Sequence, residues 1–214
     1  LKPFTFNYIV FQWSRNVPMY CLIKQGDNMG YKNKFKSFDN RLLHWFNETI
    51  KCKSLDKFMY GVTNIGGAVF TTSFLLALVA FGKSKLRVIG LEALVSLSIS
   101  QIFVQIFKKL LERERPYKIL ENINTFGINL KDYSFPSGHT TASFSIATTL
   151  ALNIHQIAIP ILIVAAIVGI SRMYLGVHFP TDVIAGIVLG TTTSLIVHFQ
   201  LLQYIRQLSN MMRL

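Results

Sequence analysis

Charge is scarce in this chain. Asp, Glu, Lys and Arg make up 15% of its 214 residues, where a soluble domain carries about 25%. Acid is scarcer still, with 10 acidic residues against 22 basic ones. They form no cluster suited to a hard metal ion, so no metal site is expected. Cysteine is nearly absent. Cys21 and Cys52 match no zinc spacing and read as two free thiols. The net charge of +12 suits a protein set against anionic lipid, or one that handles an anionic substrate. Nucleic acid is not the expected partner, because the apolar runs leave little soluble surface for a binding face.

What is present is apolar: 51% of the residues are hydrophobic. The length suits one domain. Residues 58–82, 88–107, 139–153, 157–171 and 183–205 are each long and apolar enough to be read as a membrane span, which takes about 20 residues. The third is the weakest, being rich in Thr, Ser and Ala. The expected fold class is all-α: an integral-membrane helical bundle of about five transmembrane helices preceded by an amphipathic N-terminal region. The expected organisation is a basic N-terminal segment at 1–37, a membrane domain at 38–205 and a cytoplasmic tail at 206–214. Between residues 38 and 50, Phe38, Leu42, Trp45, Phe46 and Ile50 form a helical stripe. That helix either lies flat in the headgroup region or packs on the end of the bundle. Lys24 to Asn28 can be encoded by a purine-rich stretch resembling a ribosome-binding site, so Met29 is the expected natural start.

Orientation follows from the basic turn at residues 82–87, with Lys83, Lys85 and Arg87 and no acid. The positive-inside rule puts it in the cytoplasm. Arg206 and Arg213 in the tail belong on the same side, an even number of crossings away. The basic N-terminal region then falls outside, which the rule tolerates where the tail is short; the alternative is that residues 4–23 insert after all.

Three polar clusters interrupt the apolar chain. Lys108 and Arg115 are seven residues apart, so a helix continuing to Pro116 would carry both on one face, where they could clamp a phosphate. A snorkelling anchor is the bland alternative. Phe135-Pro136-Ser137-Gly138-His139 stands at the mouth of the third span. Ser137 is a plausible N-cap, Gly138 lets backbone approach a ligand, and the N–H groups of a helix start bind anions. The third cluster, residues 171–182, holds Arg172, His178 and Asp182, with Pro180 in the first turn of the last helix. Asp182 can reach back to His178 and fix its tautomer. Span parity places all three clusters on one face, opposite the basic turn and therefore extracytoplasmic.

These residues resemble the type 2 phosphatidic acid phosphatase family, in a short bacterial membrane form. The motifs Lys-x6-Arg-Pro, Pro-Ser-Gly-His and Ser-Arg-x5-His-x3-Asp are complete, in order and in spacing. The similarity runs from about residue 38 to 201 and includes Leu55-Asp56 and Gly66-Gly67. Many members have six spans, and this chain lacks a convincing one before Phe38. The resemblance implies a membrane lipid phosphatase. In it His178 is the nucleophile that forms a phosphohistidine, Asp182 orients it, and His139 protonates the leaving oxygen. Lys108, Arg115, Ser137, Gly138 and Arg172 hold the phosphoryl oxygens. It implies no metal and no cofactor. The expected partners are the bilayer and a lipid phosphate substrate: undecaprenyl diphosphate, phosphatidylglycerophosphate or phosphatidic acid. The alternatives are a vanadate-dependent oxidase of the same superfamily, and a non-catalytic lipid binder or transporter.

The remaining polar residues have plainer readings. Glu92 is expected to pair with the nearby basic turn, and His44, His155 and His198 to be interfacial or packing residues. Asp132 and Tyr133, just before the second motif, are read first as a solvated loop and second as a lining of the site mouth. Gly186 and Gly190 form Gly-x-x-x-Gly, suited first to close helix packing and second to a homodimer.

Overall fold

The uninterrupted apolar runs are helical, and among the described residues there is no strand. The computed structural model describes the backbone of residues 25–211 and the side chains of residues 34–211. The chain divides into two compact units, residues 1–38 and 39–214. In the first, the described backbone from residue 25 on is helical. The apolar patches of residues 4–23, Cys21 and Arg213 lie outside the described residues.

The second unit begins within α1 (Gln25–His44), which runs on through a π-helical turn at Trp45–Thr49. Leu43 is fully buried and, with Phe46, packs against Met173, Phe179 and Val183. Ile50 joins Met59, Tyr174, Leu175 and Val177. Trp45 stays exposed. Residues 39–50 therefore pack on the bundle through positions 43, 46 and 50, a face rotated from the expected stripe, since it takes in Leu43 and leaves out Trp45.

The first expected span is not one straight helix. α2 (Lys53–Thr63) and α3 (Ala68–Phe81) meet at a bend of 52°. The chain breaks at Gly66-Gly67, where Gly67 is extended. A Cβ on Gly66 would lie 2.6 Å from Val168 Cγ1 and 3.0 Å from the His139 carbonyl, so the residue that lets the backbone pass so close must be glycine.

α4 (Ser84–Leu111) starts inside the expected basic turn and takes Lys85 and Arg87 into its first turn, and α6 (Gly138–Asn153) occupies the centre, packed on α4, α7 (Ala158–Tyr174) and α8 (Pro180–Ile196). Leu75 of α3, Ile89, Ala93 and Leu97 of α4, and Ala142, Ile146 and Leu150 of α6 form one core cluster. With only 16 residues, α6 spans about 24 Å, short of an ordinary crossing. Its Ser, Thr and Ala side chains are small, so it is enclosed by neighbours rather than presented to lipid: Thr140 to Leu150 are buried throughout. α8 continues through a π turn at Val197–Leu201 into α9 (Leu202–Met211). By length and composition three helical stretches suit a membrane crossing, and a fourth if the bent α2–α3 pair is one span. Val69, Phe81, Ile159 and Phe199 point outward, as side chains facing lipid do.

Gly186 and Gly190 serve packing within the chain. A Cβ on Gly190 would lie 2.5 Å from the Thr141 carbonyl, and one on Gly186 2.9 Å from that of Ser137. That face is filled by α6, so a homodimer would need another. Glu92 does not pair with the basic turn. It points into the bundle and is fully buried, accepting from Asn153 Nδ2 at 2.9 Å and pairing with His198 Nδ1 at 2.8 Å. Arg87, in the first turn of α4, donates instead to the Val79 carbonyl. His44 pairs with Glu48 on the surface, and His155 bonds the Ala151 carbonyl.

Candidate active site

The connection from α4 to α6 and the turn from α7 to α8 meet at one end of the bundle, and the three sequence motifs meet with them. α4 ends earlier than expected. Glu112 adopts a left-handed conformation with φ 44°, and Arg115 is extended ahead of Pro116, which starts α5 (Pro116–Ile119). Proline disfavours a helical residue before it. Lys108 and Arg115 therefore do not share a helix face, and a third residue brings them together. Asp132, expected in a solvated loop, binds both: Oδ2 pairs with Lys108 Nζ and Oδ1 accepts from Arg115 Nη2 at 2.7 Å. Arg115 Nε donates to the Asp132 carbonyl at 2.9 Å. Burial pushes the Asp132 carboxyl up, but its bonds and charge attraction to Lys108 and Arg115 outweigh this and hold it at about 2.

The α7–α8 turn is built around Gly176, at φ +64°, where a Cβ would lie 2.3 Å from Ile123 Cγ2. It folds the N–H groups of Val177 and His178 back onto the Arg172 carbonyl. Asn47 braces it by donating to the carbonyls of Tyr174 and Asn124 at 2.7 and 2.8 Å. His178 ends up buried, with Nε2 3.2 Å from Arg115 Nη1. Arginine can only donate, so Nε2 presents its lone pair and the ring proton sits on Nδ1. Nδ1 faces Asp182 Oδ2 at 3.5 Å, beyond good hydrogen-bond range. Burial, then the positive charges of Arg115, Arg172 and Lys108, hold the imidazole well below its ordinary pKa.

Asp182 is fully buried and bound on several sides. Oδ2 accepts from Ser134 Oγ and from the Phe179 N–H at 2.8 Å, and Oδ1 from Arg113 Nη1 at 2.7 Å. Arg113 also pairs with Asp39 at 2.6 Å and stacks over Phe179, 4.2 Å from the ring centroid. Asp39 in turn accepts from Thr181. Sequence reasoning missed Arg113, Ser134 and Asp39, and offered Asp132 at the site mouth only as the second reading. The one available signal was that Arg113 and Ser134 lie within three residues of motif positions.

Ser137 occupies the N-cap position of α6, but its Oγ bonds Thr140 Oγ1 at 2.9 Å and caps no backbone group. Among the described residues no side chain caps the first turn of α6, which leaves N–H groups at the helix start available to an anion. Gly138 is not required by protein packing, since a Cβ there meets nothing closer than 3.6 Å. It lines a cavity of about 460 Å³ together with His139, Lys108 and Asp132. That cavity runs between α3, α4 and α6, past Gln101, Ser98 and Leu94. His139 lies near enough to Arg172, His178, Lys108 and Arg115 to feel their charges. Arg172, buried in α7, donates to Thr63 Oγ1 at 2.6 Å, while its Nε has no partner among the described residues. Every residue expected at the site is thus in one cluster: three cations, two imidazoles, one carboxylate and an uncapped helix start. Such a cluster can hold an oxyanion and attack it.

Comparisons with known proteins point the same way. The family model described as PAP2 superfamily matches residues 89–206. An undecaprenyl-diphosphatase of Sulfolobus acidocaldarius is 35% identical over 109 residues, covering 50% of this chain and 53% of that one. Phosphatidylglycerophosphatase B of Bacillus subtilis is 31% identical over 150 residues, covering 64% and 70%. The crystal structure of Aquifex aeolicus LpxE superposes with a TM-score of 0.67 at 28% identity, covering 75% of this chain and 94% of that one. The chain spans little more than half the length of the first curated relatives it matches.

Proposed function

The chain belongs to the PAP2 superfamily, and from that membership and the geometry of the site we propose that it is a membrane lipid phosphatase working through a phosphohistidine. One observation carries the reading: Arg115, a phosphate-binding type of side chain, stands 3.2 Å from the lone pair of the buried, neutral His178.

In this mechanism the phosphoryl group enters between Lys108, Arg115 and Arg172, with the N–H groups at the start of α6 facing its oxygens. Nε2 of His178 attacks phosphorus, and the bond from phosphorus to the leaving oxygen breaks. Asp182 stabilises the positive charge that develops on the ring and keeps its proton on Nδ1. His139 takes up a proton as the negative charge of the bound phosphate offsets the surrounding cations, and gives that proton to the leaving oxygen. A water then attacks the phosphohistidine, surrendering a proton to His139, and releases inorganic phosphate. The three cations lie where charge builds on the equatorial oxygens.

The cavity from His139 toward Leu94 is open to the leaving group, so the lipid portion lies between α3, α4 and α6. A lipid diphosphate or a glycerophospholipid phosphate would fit this reading, and the names of the two curated relatives favour undecaprenyl diphosphate and phosphatidylglycerophosphate. Counting α6 and the bent pair as crossings gives five, with residues 38–205 as the phosphatase domain. The basic turn and the 206–214 tail then face the cytoplasm and the site faces outward, in the cell membrane.

Phosphate release from a panel of lipid phosphates and diphosphates, by purified protein in detergent, tests the proposal. Turnover of at least one, lost in H178A, is expected. Silence on the whole panel, or an unimpaired H178A, would overturn it.

A further inference from the structure

The unliganded site already contains an anion of its own. Lys108 and Arg115 are 6% and 1% exposed, whereas the Asp132 side chain that binds both is half exposed. Asp132 is therefore the outermost member of the group, at the mouth of the cavity it shares with His139. Its two oxygens are split between the two cations, as two oxygens of a phosphoryl group would be. The grip extends to the backbone: the Asp132 and Tyr133 carbonyls accept from Arg115 Nε and Nη2 at 2.9 and 3.2 Å. Held this way, Arg115 directs its remaining arm, Nη1, to the Val177 carbonyl and to His178 Nε2. Seating the carboxylate thus occupies both cations and keeps a guanidinium on the lone pair of the nucleophile.

A phosphoryl group cannot take the same donors while the carboxylate holds them. Two anions on one Lys–Arg pair repel, and each donor hydrogen serves one strong acceptor. We infer that Asp132 is a resident competitor for the phosphoryl site, which substrate displaces on binding and which returns to expel inorganic phosphate after hydrolysis. This rests on the phosphatase reading above. Its consequence is selective. Free phosphate has only the cations and the α6 N–H groups to hold it, so the competitor weakens its binding most. A lipid substrate has its apolar portion as a second source of binding and can displace the carboxylate. The carboxyl stays ionised down to a pH of about 2, so the competitor remains charged across the range in which a protein operates.

The test uses inorganic phosphate as the probe, on purified full-length protein in detergent. Its inhibition constant against lipid hydrolysis, and its effect on thermal unfolding, are measured for wild type, D132N and D132A. Removing the carboxylate should tighten phosphate by about tenfold, enlarge the phosphate-induced rise in melting temperature, and lower kcat as product lingers. A residue that only positions Lys108 and Arg115 would do the reverse, so phosphate binding that is unchanged or weaker in both variants overturns the inference. D132A serves if D132N does not fold, because the side chain is half exposed. The thermal arm needs no turnover, so a chain that hydrolyses no lipid on the panel would refute the phosphatase reading while this experiment still reads the competition.

Discussion

Arg113 Nη1 donates to Asp182 Oδ1 at 2.7 Å, and this bond, not the one between Asp182 and His178, is the tightest ion pair the buried carboxylate makes. Asp182 is fully buried, and Arg113, 30% exposed, is its counter-charge. Removing one partner of such a pair strands the other in a low dielectric. R113A should therefore lower stability by about 2 kcal/mol, discounted from the fully buried case for the exposure of Arg113. It should also cut kcat by about tenfold or more with little change in KM, since Arg113 acts on His178 only through Asp182. R113K should recover part of the kcat. A change confined to KM would show that Arg113 contacts substrate instead. Steady-state kinetics with detergent melts separates these outcomes.

Two of the three motifs were legible because each is local. Pro-Ser-Gly-His starts a helix and Ser-Arg-x5-His-x3-Asp closes a turn, so spacing nearly determines geometry. Lys108 and Arg115 were legible as a pair for the wrong reason. They meet through Asp132, 17 residues beyond Arg115 in sequence, where no periodicity links them. Arg113 and Asp39, 74 residues apart, are hidden for the same reason: a loop charge reads as solvated until the fold shows what faces it. The bend at Gly66-Gly67 was masked by unbroken hydropathy, which reports apolar length but not the direction of the chain.

Gly190 offers a test of the helix packing that supports the site. A Cβ there would lie 2.5 Å from the Thr141 carbonyl and 2.9 Å from the Ser145 nitrogen, both backbone atoms of α6. Neither can move without shifting the helix whose start carries His139. G190A should lower stability by about 2 kcal/mol. At Gly61 a Cβ meets nothing within 4 Å, so G61A should leave the melting temperature near that of wild type. Equal melting temperatures for the two variants would contradict the close α6–α8 contact.

The depressed pKa of His178 predicts a pH dependence of stability. Burial, with Arg115, Arg172 and Lys108, keeps the folded ring unprotonated well below 6.5. The unfolded chain takes up that proton near 6.5. Below that value the unfolded state binds more protons, so stability falls as pH falls. The loss should approach about 1.4 kcal/mol per pH unit from this group alone, until the folded ring protonates. Above 6.5 the group contributes no slope. Melting curves between pH 8 and 5 should show the decline, and H178Q should remove this share of it. A variant that declines as steeply as wild type would mean that His178 is protonated in the fold.

Charge neutralisation at the site is assigned to Lys108, Arg115 and Arg172, which surround the position proposed for the phosphoryl group. Three cationic side chains on one phosphoryl group leave little for a divalent cation to supply, so EDTA should leave phosphate release at its original rate. The rate should instead depend on the arginine fork. Arg172 is held by Thr63 through Nη1 alone, with Nε unpartnered among the described residues, so its planar head keeps donors for a phosphoryl oxygen. Lysine in its place keeps the charge but loses that geometry. R172K should therefore lower kcat/KM by about 10- to 100-fold. Added magnesium should not restore it. Inhibition by EDTA that magnesium reverses would show instead that a cation shares the phosphate with these three side chains.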